Sequence, residues 1–281
     1  MRLALRREFP HWSALRTDVP GKDPNEDQIF QRYSAFYDLL YQDKDYVAEA
    51  DYVARTIRGY APGARTILEL GSGTGRHGRL LAAMGFDVQG IERSPAMVSV
   101  ARATKYPRVR EGFGSFICEV GDICSTEINH TFDAVISLFH VMSYQTTNEQ
   151  LRRVFCVATD HLSPGGVFLF DVWHGPAVLS ERPAVRVKEV ANLEYRVKRT
   201  AEPALDTNAS TVKVVYSMDC EDRRTGETFR FSEQHVMRYL FPTEIDFLAQ
   251  ACGLRRVNAE EFLTGCRASP STWGVAYVLQ K

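Results

Sequence analysis

Ile67-Leu68-Glu69-Leu70-Gly71-Ser72-Gly73-Thr74-Gly75-Arg76-His77-Gly78 joins a short apolar strand to a glycine-rich turn and the start of a helix. Glycines at the three alternating positions permit positive φ angles and let backbone N–H groups approach a ligand without a Cβ in the way. Glu92 ends the next apolar run about 20 residues later, the spacing of a carboxylate that accepts hydrogen bonds from ribose hydroxyls. The stretch therefore predicts a nucleoside-binding turn.

Two details distinguish this turn from a dinucleotide site. The Gly-x-Gly-x-Gly spacing is one residue tighter than the Gly-x-Gly-x-x-Gly pattern that shapes a pyrophosphate site. Glu69, two residues before the first glycine, would repel a diphosphate but suits the ammonium group of a methionine moiety, directly or through water. We therefore expect S-adenosylmethionine as the cofactor, with a nicotinamide nucleotide as the alternative.

Two later strands complete the predicted cofactor edge. Residues 114–120 lead into the acidic turn Gly121-Asp122-Ile123, where a carboxylate can accept a hydrogen bond from an adenine amino group. Residues 132–140 predict a fourth strand whose end opens beside the ligand.

Residues 64–172 resemble the class I S-adenosylmethionine-dependent methyltransferases. The resemblance implies a set of cofactor contacts: Glu69, Gly71, Gly73 and Gly75 at the methionine moiety, Glu92 at the ribose, the segment Arg93–Met97 with its methionine against the adenine face, Asp122 and Ile123 at the adenine edge, and Phe139 with His140 at the methyl-donor end. Met97 and Asp122 also have ordinary alternatives, core packing and helix capping respectively.

Composition restricts the classes of molecule that the protein is expected to bind. The net charge of −1 over 281 residues gives no reason to expect nucleic acid or an anionic membrane as a partner. We find no signal peptide and no stretch long enough to span a bilayer, so the sequence predicts a cytoplasmic protein. The six cysteines lack metal-ligand spacing and are expected to be reduced, mostly buried thiols, with no metal site.

Apolar spacing predicts helices over 27–42 and Tyr46–Tyr60, and Pro164-Gly165-Gly166 predicts a turn into a fifth strand over 167–172. The order of predicted elements indicates a doubly wound, Rossmann-like α/β fold. The predicted divisions are an irregular tail at 1–26, a helical cap at 27–60, the cofactor-binding core at 61–184, an antiparallel β insertion at 185–241 and a return of the chain to the core sheet at 242–281.

Three alternating runs, 185–199, 210–220 and 228–240, predict three strands in the insertion, separated by breaks at 203–208 and 223–226. A helix over 243–252 and a closing strand over 273–279 follow. The insertion is expected to form either an acceptor-binding wall or lid, or a sheet through which a homodimer forms.

A sulfonium methyl is already activated, so the reaction needs alignment and, for some acceptors, removal of a proton. His140 is the first candidate for a general base, since it follows the fourth strand and histidine ordinarily titrates at about pH 6.5. Tyr144, Asp171, His174 and His235 are weaker candidates. The alternative for His140 is a hydrogen-bonded structural histidine.

The segment from Tyr33 to Tyr46 resembles the cap of small-molecule N-methyltransferases that act on nucleotide-linked amino sugars. The resemblance implies that Tyr33 and Tyr37 lie at the active site, where aromatic faces surround a cationic methyl donor. We therefore expect an enzyme that methylates a small polar acceptor, with an amino nitrogen preferred. The alternatives are an O-methyltransferase of a sugar or natural product, and a catalytically inactive cofactor-binding regulatory subunit.

Overall fold

The computed structural model describes residues 33–104 and 112–281 of the chain. The predicted tail at 1–26, and the part of the predicted 27–42 helix before Tyr33, lie outside these described residues. The helices are α1 (Ser34–Leu40), α2 (Tyr46–Tyr60), α3 (Arg76–Ala83), α4 (Pro95–Ala103), α5 (Asn148–His161), α6 (Gly175–Glu181) and α7 (Pro242–Ala251). The strands are β1 (Thr66–Leu70), β2 (Asp87–Glu92), β3 (Phe116–Val120), β4 (Phe132–Ser137), β5 (Leu162–Trp173), β6 (Arg186–Ala191), β7 (Tyr195–Asp206), β8 (Thr211–Asp222), β9 (Thr228–Arg238), β10 (Arg255–Glu261) and β11 (Gly274–Gln280).

The described residues form a main sheet in the order β10-β11-β5-β4-β1-β2-β3. Strands β1 to β5 pair in parallel, and β11 pairs antiparallel with β5. This arrangement confirms the predicted doubly wound α/β fold and the return of the closing strand to the main sheet. Because β1, β2, β4 and β5 are parallel, the segments that follow them meet at one edge of the sheet.

Helices cover both faces of the main sheet, and the alternation of side chains along the strands decides which face each residue reaches. Leu68 and Phe168 pack with α5 and α7 on one face. Ile67 and Val167, the neighbouring residues in the same strands, pack with α2 and α3 on the other. All four side chains are fully buried, and each such side chain contributes about 1.5 to 3 kcal/mol to folding.

Helix α2 has the bounds that its apolar spacing predicts, Tyr46–Tyr60. Asp45 caps its N-terminus by accepting a hydrogen bond from the Ala48 N–H at 2.9 Å. Two elements of the main domain, α6 and the edge strand β10, were not predicted from the sequence. The predicted turn at residues 164–166 lies within β5, which already begins at Leu162. The pairing of β5 with β4 is irregular there, and Gly165 has a positive φ.

A second sheet, in the order β6-β7-β8-β9, lies between Arg186 and Arg238. It has four strands rather than the predicted three, because the run 185–199 contains a hairpin. Asn192 makes that turn, since its side-chain Oδ1 accepts hydrogen bonds from the N–H groups of Glu194 and Tyr195.

The predicted break at 203–208 was also too early, because β7 continues through Pro203 to Asp206. Proline lacks the N–H that a central strand requires. The pairing of β6 with β7 stops at Ala201, so Pro203 lies where β7 pairs on one side only, with Val214 of β8. The proline is therefore compatible with the strand.

The inner face of the antiparallel sheet packs against α1. Phe36 and Leu40 of α1 contact a buried patch formed by Val197, Met218 and Cys220. This contact joins the predicted cap to the insertion.

The described helices include none that combines the length and apolarity needed to cross a membrane. The six cysteines are free thiols, as predicted. Only Cys118 and Cys220 are buried, so the expectation of mostly buried thiols was wrong.

Candidate active site

The glycine-rich turn after β1 has the backbone conformation that its sequence predicts. Gly71, Gly73 and Gly75 have φ angles of +79°, +55° and +74°, which side-chain-bearing residues rarely adopt. The Gly71 N–H donates to the Ile91 carbonyl at 2.8 Å, which fastens the turn to β2. Helix α3 starts directly after Gly75, so its N-terminus points toward the turn.

Two of the three glycines make room for packing. A Cβ on Gly71 would lie 2.6 Å from the side chain of Val141, and a Cβ on Gly75 would lie 2.6 Å from the ring of Phe116. Since real Cβ atoms essentially never approach so closely, these positions exclude any side chain on steric grounds.

Gly73 differs from the other two. Among the described residues, a Cβ on Gly73 would have one neighbour within 4 Å, the Met97 sulfur at 3.9 Å. The backbone at Gly73 therefore faces open space, where a ligand can approach closely.

Glu92 connects the end of β2 to the glycine turn. Its Oε2 accepts a hydrogen bond from the Gly73 N–H at 2.9 Å, and its Oε1 accepts one from the Ser94 N–H at 2.8 Å. Burial raises the pKa of Glu92, although these two N–H groups and the nearby Arg93 charge favour the ionised form. Each carboxylate oxygen has a second lone pair with which to accept from a ribose hydroxyl.

Glu69 lies beneath the turn, with a side chain only 1% exposed. Its Oε2 has no hydrogen-bond partner among the described residues. Burial raises the pKa of Glu69 to about 8, against the opposing charge of Arg79. A buried carboxyl oxygen without a partner is costly, and a nearby cation or a bridging water would compensate for it.

The segment predicted at the adenine end lies beside the same turn. Met97 is 3% exposed in the first turn of α4, below Gly73, and Ile123 is 8% exposed. The Asp122 side chain accepts from the Cys124 N–H at 2.9 Å, so it closes its own turn. Asp122 therefore stabilises its own turn, a role similar to the helix capping that was the alternative to an adenine contact.

These residues fit an adenosyl cofactor. Gly73 leaves open space, Glu92 offers acceptors to a ribose, and Glu69 supplies a buried carboxyl whose ionised form a methionine ammonium would favour.

The end of β4 carries two strained residues, Phe139 and His140, with φ angles of +63° and +62°. Consecutive non-glycine residues in this conformation cost about 1 to 3 kcal/mol each and persist where the surrounding structure holds them. Asp171, at the end of β5, provides that hold. Its carboxylate accepts from the His140 N–H, with both oxygens 3.2 Å away, and its Oδ2 lies 2.7 Å from His140 Nδ1.

Asp171 is 1% exposed, whereas the His140 side chain is 25% exposed. Burial alone would raise the pKa of the Asp171 carboxyl, but the charge and hydrogen bonds of His140 outweigh it and the pKa is lowered. The carboxylate therefore stays ionised and lies against the Nδ1 side of the imidazole, 2.7 Å away, which points to Nε2 as the nitrogen for chemistry.

We call Phe139 and His140, which follow β4, the cofactor corner. Aromatic rings of the cap pack against Phe139 there. The Phe139 ring centroid lies 5.0 Å from that of Tyr41 and 6.4 Å from that of Tyr37. The Lys44 ammonium lies 4.4 Å from the Phe139 centroid, within the range of a cation–π contact. The predicted proximity of the cap to the end of β4 is therefore present in the structure.

A cluster of polar side chains connects the cofactor corner to the antiparallel sheet through Tyr41. We call Tyr33, Tyr41, Arg199 and Tyr216 the tyrosine–arginine cluster. Arg199 of β7 donates to the hydroxyls of Tyr33 and Tyr41 at 3.0 and 3.2 Å, and its guanidinium lies 5.1 Å from the Tyr216 ring centroid.

His235 of β9 lies next to this cluster and is 1% exposed. Its Nδ1 is 2.8 Å from the Tyr144 hydroxyl, and its ring centroid is 5.6 Å from that of Tyr33. Glu233 accepts a hydrogen bond from the Tyr33 N–H at 2.9 Å. The cluster thus joins α1, the 3₁₀ turn Val141–Tyr144 and the sheet into one polar, largely buried region.

Burial raises the pKa values of Tyr33, Tyr37 and Tyr144 well above that of an ordinary tyrosine. These hydroxyls therefore stay protonated near neutral pH. They can orient or surround a ligand, but none of the three acts as a phenolate base.

Comparison with known proteins agrees with this geometry. The sequence family described as "Methyltransferase domain" matches residues 67–166. The dTDP-3-amino-3,4,6-trideoxy-alpha-D-glucopyranose N,N-dimethyltransferase of Streptomyces venezuelae is 28% identical over 222 residues, which cover 78% of this chain and 88% of that protein. The solved structure of CalS10, a SAM-bound amino pentose methyltransferase from Micromonospora echinaspora, is 26% identical with a TM-score of 0.68, covering 89% of this chain and 97% of CalS10.

Residues 67–166 thus match a methyltransferase domain, and most of the chain is similar to S-adenosylmethionine-dependent methyltransferases. The predicted enzyme class and cofactor are thereby confirmed. Two further relatives show how the similarity is distributed. The structure of DesVI from Streptomyces venezuelae has a TM-score of 0.70 at 25% identity, over 87% of this chain and 97% of DesVI. The dTDP-4-amino-2,3,4,6-tetradeoxy-D-glucose N,N-dimethyltransferase of Saccharopolyspora spinosa is 30% identical, over 51% of this chain and 55% of that protein.

Within the methyltransferase, the roles of individual residues stay predictions. The structure brings the predicted cofactor residues together around one turn and places His140, Tyr37 and Tyr33 along one chain of contacts. Sequence reasoning missed Arg199, Tyr216 and Glu233. A signal was present, since Arg199 interrupts the apolar inward positions Val197 and Ala201 of an alternating strand.

Proposed function

We propose that this methyltransferase transfers the methyl group of S-adenosylmethionine to an amino nitrogen of a small polar acceptor, an amino sugar linked to a nucleotide. The alignment with the Streptomyces venezuelae N,N-dimethyltransferase supports the proposal because it is more than twice as long as the 67–166 match. The similarity to an amino-sugar enzyme thus extends beyond the cofactor-binding core.

The observation that carries the proposal is the continuity between the cofactor corner and the antiparallel sheet. His140 adjoins Phe139, Phe139 contacts Tyr41, and Tyr41 accepts a hydrogen bond from Arg199 of β7. An acceptor bound against the sheet would therefore lie beside the methyl-donor end of the cofactor.

The two faces of the antiparallel sheet favour this acceptor wall over a sheet that forms a homodimer. The inner face holds Arg199 and His235 against α1 and the 3₁₀ turn. The outer face carries exposed ion pairs, Arg196 with Glu221 and Arg230 with Asp219. A solvated, charged face is unlike the apolar core of a stable homodimer interface.

The chemistry follows from the residues at the corner. When bound, the cofactor supplies an activated methyl carbon that a nitrogen lone pair attacks in line. An ammonium acceptor must first lose a proton, and His140 Nε2 accepts it while Asp171 holds Nδ1. The neutral hydroxyls and ring faces of the tyrosines surround the cationic groups without competing for the methyl.

The second candidate is an O-methyltransferase of a sugar or natural product. The His140–Asp171 contact favours it, because a histidine oriented by a buried carboxylate is the arrangement that a protonated hydroxyl acceptor needs. The two candidates differ in how strongly turnover depends on that histidine.

The test uses nucleotide-linked sugars that carry an amino or a hydroxyl group at the same carbon, with mass spectrometry to detect each added methyl. Turnover is then measured against pH for the wild type and His140→Ala. For N-methylation, an amine also loses its proton to solvent, so we expect His140→Ala to lower turnover by less than about a hundredfold. A loss of about a thousandfold or more, with methylation of the hydroxyl sugar and disappearance of the acidic limb of the rate profile, would establish the O-methyltransferase instead.

A further inference from the structure

Two cysteine thiols meet on the helical face of the main sheet, away from the residues described above. Cys156 lies in α5, and Cys252 directly follows α7. Their sulfur atoms are 3.4 Å apart, and both residues are half-buried. A disulfide requires a sulfur separation of about 2.05 Å, so small side-chain rotations would suffice to join them.

The surroundings of the two thiols differ. The Arg152 guanidinium lies one helical turn before Cys156, with Nη1 3.8 Å from the Cys156 sulfur. The Cys252 thiol points toward the Arg152 carbonyl, at 3.9 Å, and toward the Cys156 sulfur. Cys156 therefore lies between a charged guanidinium, which also pairs with Glu149, and a second sulfur. A neighbouring cationic group favours the thiolate form in which a cysteine attacks an oxidant.

Cys252 lies in the opposite environment. Burial and the adjoining Cys156 together raise the pKa of the Cys252 thiol to about 12. The Asp160 carboxylate also acts in this direction, against the opposing charge of Arg152. Cys252 is thus kept as a protonated thiol.

Access is unequal as well. Cys156 and Arg152 line a cavity of about 460 Å³ together with residues of the turn after β3, whereas Cys252 is absent from that lining. A small reagent that enters this cavity would reach Cys156 before Cys252. Cys124 lines the same cavity, but burial raises the pKa of its thiol to about 12, so it stays protonated.

We propose that Cys156 and Cys252 are a reversible oxidation site that takes a hydroperoxide and forms an intramolecular disulfide. The Cys156 thiolate attacks one peroxide oxygen and breaks the O–O bond, which gives a sulfenic acid and, after protonation, water or an alcohol. The Cys252 sulfur then attacks the sulfenic sulfur. Its proton and the hydroxyl leave as a second water, so two thiols are oxidised while one peroxide is reduced.

The disulfide would close a large loop, because the two cysteines are 96 residues apart in the sequence. That loop contains β6 to β9 and thus the whole antiparallel sheet. A cross-link of this kind stabilises the fold by restricting the unfolded chain, so the oxidised protein should unfold at a higher temperature.

The experiment treats the reduced full-length protein with hydrogen peroxide and maps the peptides without reductant. We expect a Cys156–Cys252 linkage in monomeric protein, a higher Tm, and reversal of both by dithiothreitol. The matched control Cys266→Ser removes the exposed cysteine and should leave the linkage unchanged. Reduced Cys156 and Cys252 beside an oxidised Cys266, or linkage between chains, would overturn the proposal.

Single variants separate the two roles. In Cys252→Ser, a sulfenic-acid trap should label Cys156, while in Cys156→Ser it should leave Cys252 unlabelled. Arg152→Met should slow formation of the disulfide several-fold, because it removes the charge beside Cys156. Labelling of Cys252 in Cys156→Ser at the rate seen for Cys156 would refute the assignment of the attacking thiol. Circular dichroism of each reduced variant checks that the fold is unchanged.

Discussion

The cofactor turn and the tyrosine–arginine cluster hold their polar groups in different ways. At the turn, Glu92 bonds to backbone N–H groups only 2 and 19 residues away in the sequence. In the cluster, Arg199 reaches Tyr33 across 166 residues, and Glu233 reaches the Tyr33 N–H across 200. The first region is built from local backbone geometry, and the second from side chains that only the folded chain brings together.

This difference has a consequence for mutations. Substitutions at the turn should act on the cofactor and leave the acceptor unaffected, while substitutions in the cluster should do the reverse.

Gly73→Val should abolish binding of S-adenosylhomocysteine in isothermal titration, because its side chain would occupy the open space before the turn. A β-branched residue at a φ of +55° also costs stability. The matched control is Gly226→Val in the hairpin between β8 and β9, where φ is +74° and a Cβ would meet no atom of residues 33–104 or 112–281 within 4 Å. Equal losses of affinity in the two variants would show that backbone strain, and not the ligand's position, is responsible.

Glu92→Ala should weaken S-adenosylhomocysteine roughly ten- to hundredfold, since loss of a charged hydrogen-bond acceptor costs about 1.5 to 3 kcal/mol. The KM for the acceptor should stay within about twofold of the wild-type value. Glu119→Ala on the adjacent strand β3 removes a carboxylate that bonds to Gln89, and it serves as the control. If cofactor affinity is unchanged in Glu92→Ala, the carboxylate does not contact the ribose.

Arg199→Met should raise the KM for the acceptor about tenfold, in line with a loss of about 1.5 kcal/mol, and leave cofactor affinity unaltered. Arg196→Met is the matched control, because Arg196 lies on the outer face of the same strand and pairs with Glu221. Steady-state kinetics with varied acceptor, and separate titration of the cofactor, measure both quantities. A tenfold change in cofactor affinity in Arg199→Met would break the separation of the two regions.

The pH dependence of cofactor binding should reflect Glu69. Its pKa of about 8 means that the carboxyl is protonated at neutral pH in the free protein, whereas a ligand ammonium favours the ionised form. Affinity for S-adenosylhomocysteine should therefore rise as pH increases toward 8, by at most about tenfold per pH unit. Methylthioadenosine, which lacks the amino-acid portion, should show no such rise, and Glu69→Gln should lose it. A pH-independent affinity in the wild type would contradict the role given to Glu69.

The raised pKa of Glu69 also makes the stability of the folded protein depend on pH. The folded-state pKa of Glu69 lies above its ordinary value of 4.5, so between about pH 4.5 and 8 the folded protein binds the extra proton. This group therefore makes the cofactor-free protein less stable as pH rises through that window, and bound cofactor should reduce the loss.

The amino-acid sequence by itself determined the cofactor half of the protein. Glycines at 71, 73 and 75, the carboxylate at Glu92 and the alternating helices and strands specify local conformations, and parallel strand pairing brings their ends to one edge. The bounds of α2 and the fold class could be predicted for the same reason, since they depend on residues close in sequence.

Tertiary structure alone decided the rest. The polar–apolar alternation of residues 185–199 is the same for one strand or two, so the hairpin at Asn192 was not apparent. Pro203 indicates a strand break in the sequence. Only the structure shows that β6 no longer pairs with β7 at that position, so that a proline is tolerated there. Arg199 and Glu233 resemble surface charges in the sequence, and only the packing of α1 against the sheet turns them inward. The contact of His140 with Asp171 likewise depends on the adjacent placement of β4 and β5, because the energy of a buried polar group depends on partners that sequence separation does not reveal.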